Sequence, residues 1–230
     1  MTTLVIATGN QHKVEEIGAI LGEEFRFFTL KDFPGAPKTI EDVPTFAGNA
    51  IKKAIELASW LENNSKFNTQ NSKLAFVLAD DSGLEVDALN GAPGVHSARF
   101  AADDKTSGNA SDAANKRKLL ELLKNVPAEK RTARFRCVIA LTPVAIRTRG
   151  SASPVCYADE LEMRTELFDG VCEGKIIFGE RGENGFGYDP LFVPTGFERT
   201  FAELGDETKN RISHRAKALE KLRKRLAMPV

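Results

Sequence analysis

The feature that most constrains this chain is a hydrophobic run, Leu74-Ala75-Phe76-Val77-Leu78-Ala79, that meets two adjacent carboxylates, Asp80 and Asp81, followed at once by Ser82 and Gly83. An unbroken apolar run of this length reads as a strand buried on both faces, as in the middle of an α/β sheet. An unpaired charge inside such a strand is expensive. The pair is therefore expected at the strand's end, where open α/β sheets place their ligands. Successive side chains of a strand face opposite ways, so one aspartate can be structural while the other is aimed into a cleft. Hard cations such as Mg²⁺ are bound by one or two carboxylates together with substrate phosphates. The alternative is an Asx-turn that only closes the strand.

Around this run the chain alternates strand and helix patterns. Leu4-Val5-Ile6-Ala7-Thr8 reads as a short buried strand, and after Gly9-Asn10 the residues Val14, Ile17, Ile20 and Leu21 fall at helical spacing. A second helix is expected from Thr45, because Phe46, Ala50, Ala54, Leu57, Ala58 and Leu61 share one stripe. Leu84 to Leu89 alternates and reaches Asn90-Gly91, which reads as a separate strand closing into a turn. Ser111 or Asp112 can cap a helix bearing Leu119, Leu122, Leu123 and Val126. Arg134 and Arg136 alternate with Phe135, Cys137, Ile139 and Leu141, the pattern of a strand with one wet face, and a last helix starts near Ser213. Residues 63–72 read as an exposed loop and 144–164 as a loop or insertion. With no repeat and no flexible linker, the reading is one mixed α/β domain over residues 1–230.

The bulk numbers narrow the partners. Lys plus Arg and Asp plus Glu both count 32 in 230 residues, so no overall field recruits a nucleic acid polymer or an anionic membrane. No run approaches the ~18 apolar residues of a membrane helix. Three cysteines, Cys137, Cys156 and Cys172, show neither paired zinc spacings nor a disulfide framework, which fits a reducing cytoplasm. The N-terminus lacks the basic lead of a signal peptide.

Four further stretches can carry chemistry. Thr8-Gly9-Asn10-Gln11-His12-Lys13 is a glycine turn at a helix N-terminus, where amides and dipole favour an anion and Lys13 can fold back onto it. It equally suits a plain turn capped by Asn10. Glu41-Asp42, just before the second helix, can complete a metal site with Asp81 or simply favour the helix N-terminus. In Glu183-Asn184-Gly185-Phe186-Gly187-Tyr188-Asp189-Pro190, glycines flank an aromatic, so backbone can approach a flat ligand, the ring can stack on it, and Asp189 can accept from ring N–H groups. A glycine turn with an aromatic plug is as good a reading. Lys209 with Ser213-His214-Arg215 forms a cationic cluster that can bind substrate or be solvated surface.

Taken in order, TGNxxK, ADDSGLEVDALNGAPGVHSARF, GFGYDP and KNRISHRAKAL resemble the Ham1/RdgB family of inosine triphosphate pyrophosphatases, from residue 4 to about residue 225. The resemblance implies an elongated α/β fold with a mixed central sheet flanked by helices, two lobes around an active-site cleft, and a homodimer. It implies hydrolysis of noncanonical purine nucleoside triphosphates (ITP, dITP, XTP) to the monophosphate and pyrophosphate with Mg²⁺. Residue by residue, Thr8, Gly9, Asn10, Gln11, His12 and Lys13 match the triphosphate-binding segment. Asp81 matches the proton acceptor and Mg²⁺ ligand, and Glu41 a further metal ligand. Ser82 matches a substrate contact, Phe186, Gly187, Tyr188 and Asp189 the base-proximal segment, and Lys209, His214 and Arg215 further substrate contacts. Arg215, with His214, would donate to the purine 6-oxo atom.

One departure stands out. Family members often carry Glu before the Asn of a T-F-x-E-N-A stretch, where this chain has Gly48 in TFAGNA. With Thr45 as N-cap, Gly48 cannot complete a capping box, a loss of ~1 kcal/mol, and a carboxylate near the metal is gone. Two rival classes share parts of the pattern. A Maf-type nucleotide pyrophosphatase would prefer other bases but lacks this motif order. A noncatalytic nucleotide-binding module would keep Lys13, Phe186 and Arg215 but would not need Asp80, Asp81 and Glu41.

Overall fold

A computed structural model of the chain describes residues 1–64, 75–102, 108–144, 162 and 164–227. The loop expected over 63–72 and the insertion expected over 144–164 lie, apart from their ends, outside the described residues. In chain order the elements are β1 (Thr2–Ile6), α1 (Gln11–Leu21), β2 (Phe25–Thr29), α2 (Phe46–Asn64), β3 (Ala75–Val86), α3 (Asp112–Leu122), β4 (Thr132–Pro143), β5 (Glu166–Ile176), β6 (Phe192–Pro194), α4 (Phe201–Ile212) and α5 (His214–Ala227). The sheet is open, in the order β2-β1-β3-β4-β5-β6. It is mixed, because β1 pairs parallel with both β2 and β3 whereas β5 and β6 are antiparallel.

The expectation that β3 ends at its carboxylates is wrong. The strand runs on through Asp80, Asp81, Ser82 and Gly83 to Val86, so Leu84-Glu85-Val86 completes β3 instead of starting a separate strand. Asp87–Leu89 then forms a 3₁₀ turn leading to Asn90 at φ 52°. The cost of burying two charges in a strand interior is met by lysines brought from elsewhere in the sequence, which the local pattern does not contain.

The chain divides into two compact units, the first formed by Met1–Asp81, Val138–Phe168 and Lys221–Val230, the second by Ser82–Cys137 and Asp169–Glu220. In the first unit β1 is buried along Leu4, Val5 and Ile6, and its register sets Val5 opposite Phe28 and Val77. Asn10 caps α1, and Gly22 ends it with its N–H on the Gly18 carbonyl. Helix α2 buries the expected stripe, Phe46, Ala50, Ala54, Leu57, Ala58 and Leu61.

The second unit has its own apolar cluster, with Leu84, Leu119, Leu191 and Phe192 all fully buried. Within it Phe135 meets Phe192 edge-on at 4.7 Å between centroids, and Phe192 stacks on Phe201 at 5.3 Å. Such pairs contribute ~0.5–1.5 kcal/mol beyond area burial. Helix α4 begins with a complete capping box, Thr200 with Glu203. It is broken at Gly205, whose φ of 76° and ψ of 170° suit only glycine. Ser213 ends α4 and starts α5, its amide on the Lys209 carbonyl and its Oγ accepting from the Ala216 amide.

Candidate functional site

The first unit gathers the acidic residues around two lysines. Lys13, one turn into α1, reaches the Asp80 carboxylate. Lys53 on α2 donates to Asp81 Oδ1 at 3.2 Å, to Glu41 Oε1 at 3.1 Å and to the Asp80 carbonyl at 2.7 Å. Asn49, one turn earlier on α2, donates to the other Asp81 oxygen at 3.2 Å. Asp80 and Asp81 are thus almost completely buried yet have cationic partners. Of the expected residues, Lys13, Asp81 and Glu41 are brought into this group. Lys53 and Asn49 were missed. Their one signal is position: both lie at the edge of the apolar stripe of α2, where a solvated lysine is out of place.

The rest of the turn at α1 is more ordinary. Thr8 Oγ1 accepts from the Asn10 amide, and Asn10 Oδ1 accepts from the Lys13 amide, both at 3.2 Å. The cap and the Lys13 salt bridge therefore coexist. Gly9 is exposed. Gln11 is held by Glu15 and Lys31, and exposed His12 has Glu15 at 3.9 Å.

Burial pushes the Asp81 carboxyl above the ordinary aspartate value, against the opposing fields of Lys53 and Lys13. For Lys53 burial works against the charge, but the fields of Asp81, Glu41 and Asp80 outweigh it, so its pKa lies above the usual lysine value. The group thus holds a carboxyl that takes up a proton more readily than a solvated one and an ammonium that does not give its proton up. Two carboxylates, from Asp81 and Glu41, converge on one cation. Oxygen-only donors of this kind are the type Mg²⁺ takes; two carboxylates would be part of a ligand set that substrate phosphates complete, and no group of three or more possible ligands occurs among the described residues.

At the start of α2, Thr45 Oγ1 accepts from the Gly48 amide at 3.1 Å, half of the expected capping box. The missing half is not an open position. A Cβ at Gly48 would stand 2.2 Å from Val43 Cγ1.

The second unit holds the remaining residues. Arg215 Nη2 donates to Ser82 Oγ at 3.0 Å, and Arg215 is 1% exposed. His214 lies flat on Phe135, centroids 4.9 Å apart at 14°. Lys209 is not solvated surface: with 2% exposure it pairs with Asp189 Oδ2 at 2.6 Å and places its ammonium 4.4 Å from the centre of the Phe186 ring. That same Asp189 oxygen accepts from the Phe186 amide at 2.9 Å. Through this oxygen Asp189 shapes the loop. Tyr188 is buried, its hydroxyl donating to the Ser97 carbonyl at 2.9 Å and pushed well above its usual pKa by burial. The Gly187 amide is held by Asp112 Oδ2 at 2.7 Å, a contact between the loop and the first turn of α3 that sequence reasoning missed. The glycine turn and the aromatic are thus both present, the turn tied down and Phe186 half-exposed.

No helix among the described residues is long and apolar enough to cross a membrane. Residues 4–225 match the model of the Ham1 family. The chain is 47% identical over 219 residues to a dITP/XTP pyrophosphatase of Desulforamulus reducens, covering 95% of this chain and 92% of that protein. It is 44% identical over 227 residues to a dITP/XTP pyrophosphatase of Geobacter sulfurreducens, covering 98% and 97%. Among solved structures it is similar to a HAM1 protein from Coxiella burnetii, with a TM-score of 0.73, 37% identity and 98% of each chain covered. The Ham1 protein of Staphylococcus aureus matches at a TM-score of 0.71 and 35% identity, with 97% of each chain covered.

Proposed function

This chain belongs to the Ham1 family, and we propose that it hydrolyses noncanonical purine nucleoside triphosphates (dITP, ITP, XTP) to the monophosphate and pyrophosphate, clearing them from the nucleotide pool. The dITP/XTP pyrophosphatases it resembles over nearly their whole length support the substrate class. The observation that carries the chemistry is the convergence of Asp81 and Glu41 on the Lys53 ammonium, with Lys13 on Asp80 beside it.

Asp81 and Glu41 would hold Mg²⁺. An ion held there would neutralise charge on the phosphates during displacement. Asp81 accepts the proton of a water directed at the α-phosphorus. Lys13 exchanges Asp80 for substrate phosphate, and the Gly9 and Asn10 amides at the head of α1 add donors. Lys53 keeps its charge and holds Asp81 and Glu41 in orientation. In the second unit Arg215, with His214, donates to the 6-oxo atom of hypoxanthine or xanthine, which the amino group of adenine cannot accept. Each lost hydrogen bond in such a pocket costs ~1–3 kcal/mol. Phe186 offers its face to the base, Lys209 and Asp189 keep it in place, and Ser82 steadies Arg215. The same reading has the two units act as lobes of one domain, in a cytoplasmic homodimer; the buried reduced thiols of Cys137 and Cys172 suit that compartment.

The test is pyrophosphate release from dITP, XTP, dGTP and dATP, with Mg²⁺ and then with EDTA. The expected result is Mg²⁺-dependent pyrophosphate from dITP and XTP and little from dATP or dGTP. Equal turnover of all four would make the chain a general nucleotide pyrophosphatase, and binding without turnover a nucleotide-binding module.

A further inference from the structure

Residues 39–43 carry no regular secondary structure, yet they are laid against α2 in a definite register. Thr39 Oγ1 donates to Glu56 Oε2 at 2.6 Å, Lys53 Nζ to Glu41 Oε1 at 3.1 Å, Lys52 Nζ to Asp42 Oδ1 at 2.7 Å, and the Val43 amide to Asn49 Oδ1 at 3.0 Å. The segment descends the helix as the helix ascends: 39 meets 56, 41 meets 53, 43 meets 49. Two residues of extended chain span ~6.5 Å, close to the ~5 Å of three or four helical residues, so the register holds over this length.

At the end of the register sits Gly48, in the first turn of α2. Glycine is a poor choice in a helix, and nothing in its backbone angles there demands it. The demand comes from Val43: a Cβ at position 48 would lie 2.2 Å from Val43 Cγ1, 3.1 Å from Val43 Cβ and 3.0 Å from Thr45 Oγ1. The Val43 methyl occupies the place where a side chain of residue 48 would begin. We infer that the Val43–Gly48 contact is a positioning element for Glu41. It seats residues 39–43 on α2 and so sets how far the Glu41 carboxylate reaches toward Lys53 and Asp81. Positions 43 and 48 then change only together, and a glutamate at 48 is excluded until residue 43 shrinks. The metal part of this inference rests on the reading of Glu41 as a ligand.

The test is a cycle of Gly48→Ala, Val43→Ala and the double variant, measured on full-length, metal-free protein by thermal melting and by Mn²⁺ titration, with free Mn²⁺ followed by EPR. Helix propensity alone makes Gly48→Ala stabilising. The contact makes it lower the melting temperature and weaken Mn²⁺ binding about tenfold, as loss of an outer-sphere support does, with most of both losses recovered in the double variant, which removes the 2.2 Å clash and keeps the 3.1 Å approach of the residue-43 Cβ and the 3.0 Å approach of Thr45 Oγ1. A Gly48→Ala chain that fails to fold while the double variant folds gives the same answer. Gly48→Ala melting at or above the parent temperature, with Mn²⁺ binding unchanged, overturns the inference. Glu41→Gln is the control. If it leaves Mn²⁺ binding intact, the reading of Glu41 as a ligand falls and the claim on metal affinity with it. If Glu41→Gln weakens binding but Gly48→Ala does not, only the positioning role falls.

Discussion

In the first unit Asp80 and Asp81 face Lys13 and Lys53, with Glu41 sharing the second lysine. In the second unit Asp189 faces Lys209 across a single 2.6 Å contact, with the Phe186 amide on the same oxygen. The Lys209 and Asp189 side chains are 2% and 3% exposed, whereas Lys13 keeps 15% and Glu41 36%. The same two residue types thus serve two ends. A pair sealed on both sides has geometry as its product, here the pose of a loop. A group left partly open, with more acceptors than one cation needs, can trade partners, which is what binding a phosphate or a metal requires.

Four experiments would break or sharpen that contrast. The largest effect is expected from Asp81→Asn, which should lower kcat by roughly 10³-fold, as loss of a positioned general base does, with the melting temperature nearly unchanged. Near-normal turnover in steady-state assays would remove Asp81 from the chemistry. Lys209→Met should do the reverse: stranding Asp189 in the interior costs ~3–5 kcal/mol, a fall of roughly 10 °C in a chain of this size. A calorimetric melt unchanged by Lys209→Met would mean that the second pair is not structural. Arg215→Ala should reduce the preference for dITP over dATP by about 10- to 100-fold, the loss of one or two hydrogen bonds. If kcat/KM fell equally for both, Arg215 would be holding phosphate and not reading the base.

The smallest effect concerns pH. Because burial raises the Asp81 pKa, its protonated form is favoured in the folded state. Its contribution to stability is therefore complete below the ordinary value of 3.8 and is lost as pH rises through the higher folded value. On acidification, the metal-free protein should accordingly lose affinity for Mn²⁺ at a pH above 3.8 while Asp81 itself does not weaken the fold. Profiles of Mn²⁺ affinity and of melting temperature measured side by side would show the two limbs separated, and coincident limbs would count against Asp81 as the titrating group.

The sequence made the helices with clean stripes and caps legible: Asn10 at α1, Thr45 at α2, Ser111 at α3 and Ser213 at α5 all cap as their residue types suggest. Helix α4 was not read, because Gly205 interrupts its period with a non-helical backbone. Nor were β2, β5 and β6: β2 is the edge strand Phe25–Thr29 and β6 only Phe192–Pro194, too short to show a period. The position of Asp80 and Asp81 within β3 was misjudged for a different reason. Whether a strand can carry two charges through its interior depends on which cations arrive from α1 and α2, 67 and 28 residues away for Lys13–Asp80 and Lys53–Asp81, and no local pattern encodes that. Lys53 was overlooked because a helical lysine reads as solvated until its neighbours on the stripe are known.

Ser213 carries a consequence for anyone wishing to retarget this protein. Lys209 lies in the last turn of one helix and Arg215 in the first turn of the next, and the one residue between the two helices, fully buried Ser213, is bonded to both, with no slack to absorb a turn of either. The residues that pose the aromatic and those proposed to read the base are therefore geared together like two spokes on one hub. Altered base preference is to be sought by exchanging side chains in place, since lengthening or shortening this joint would turn both spokes at once.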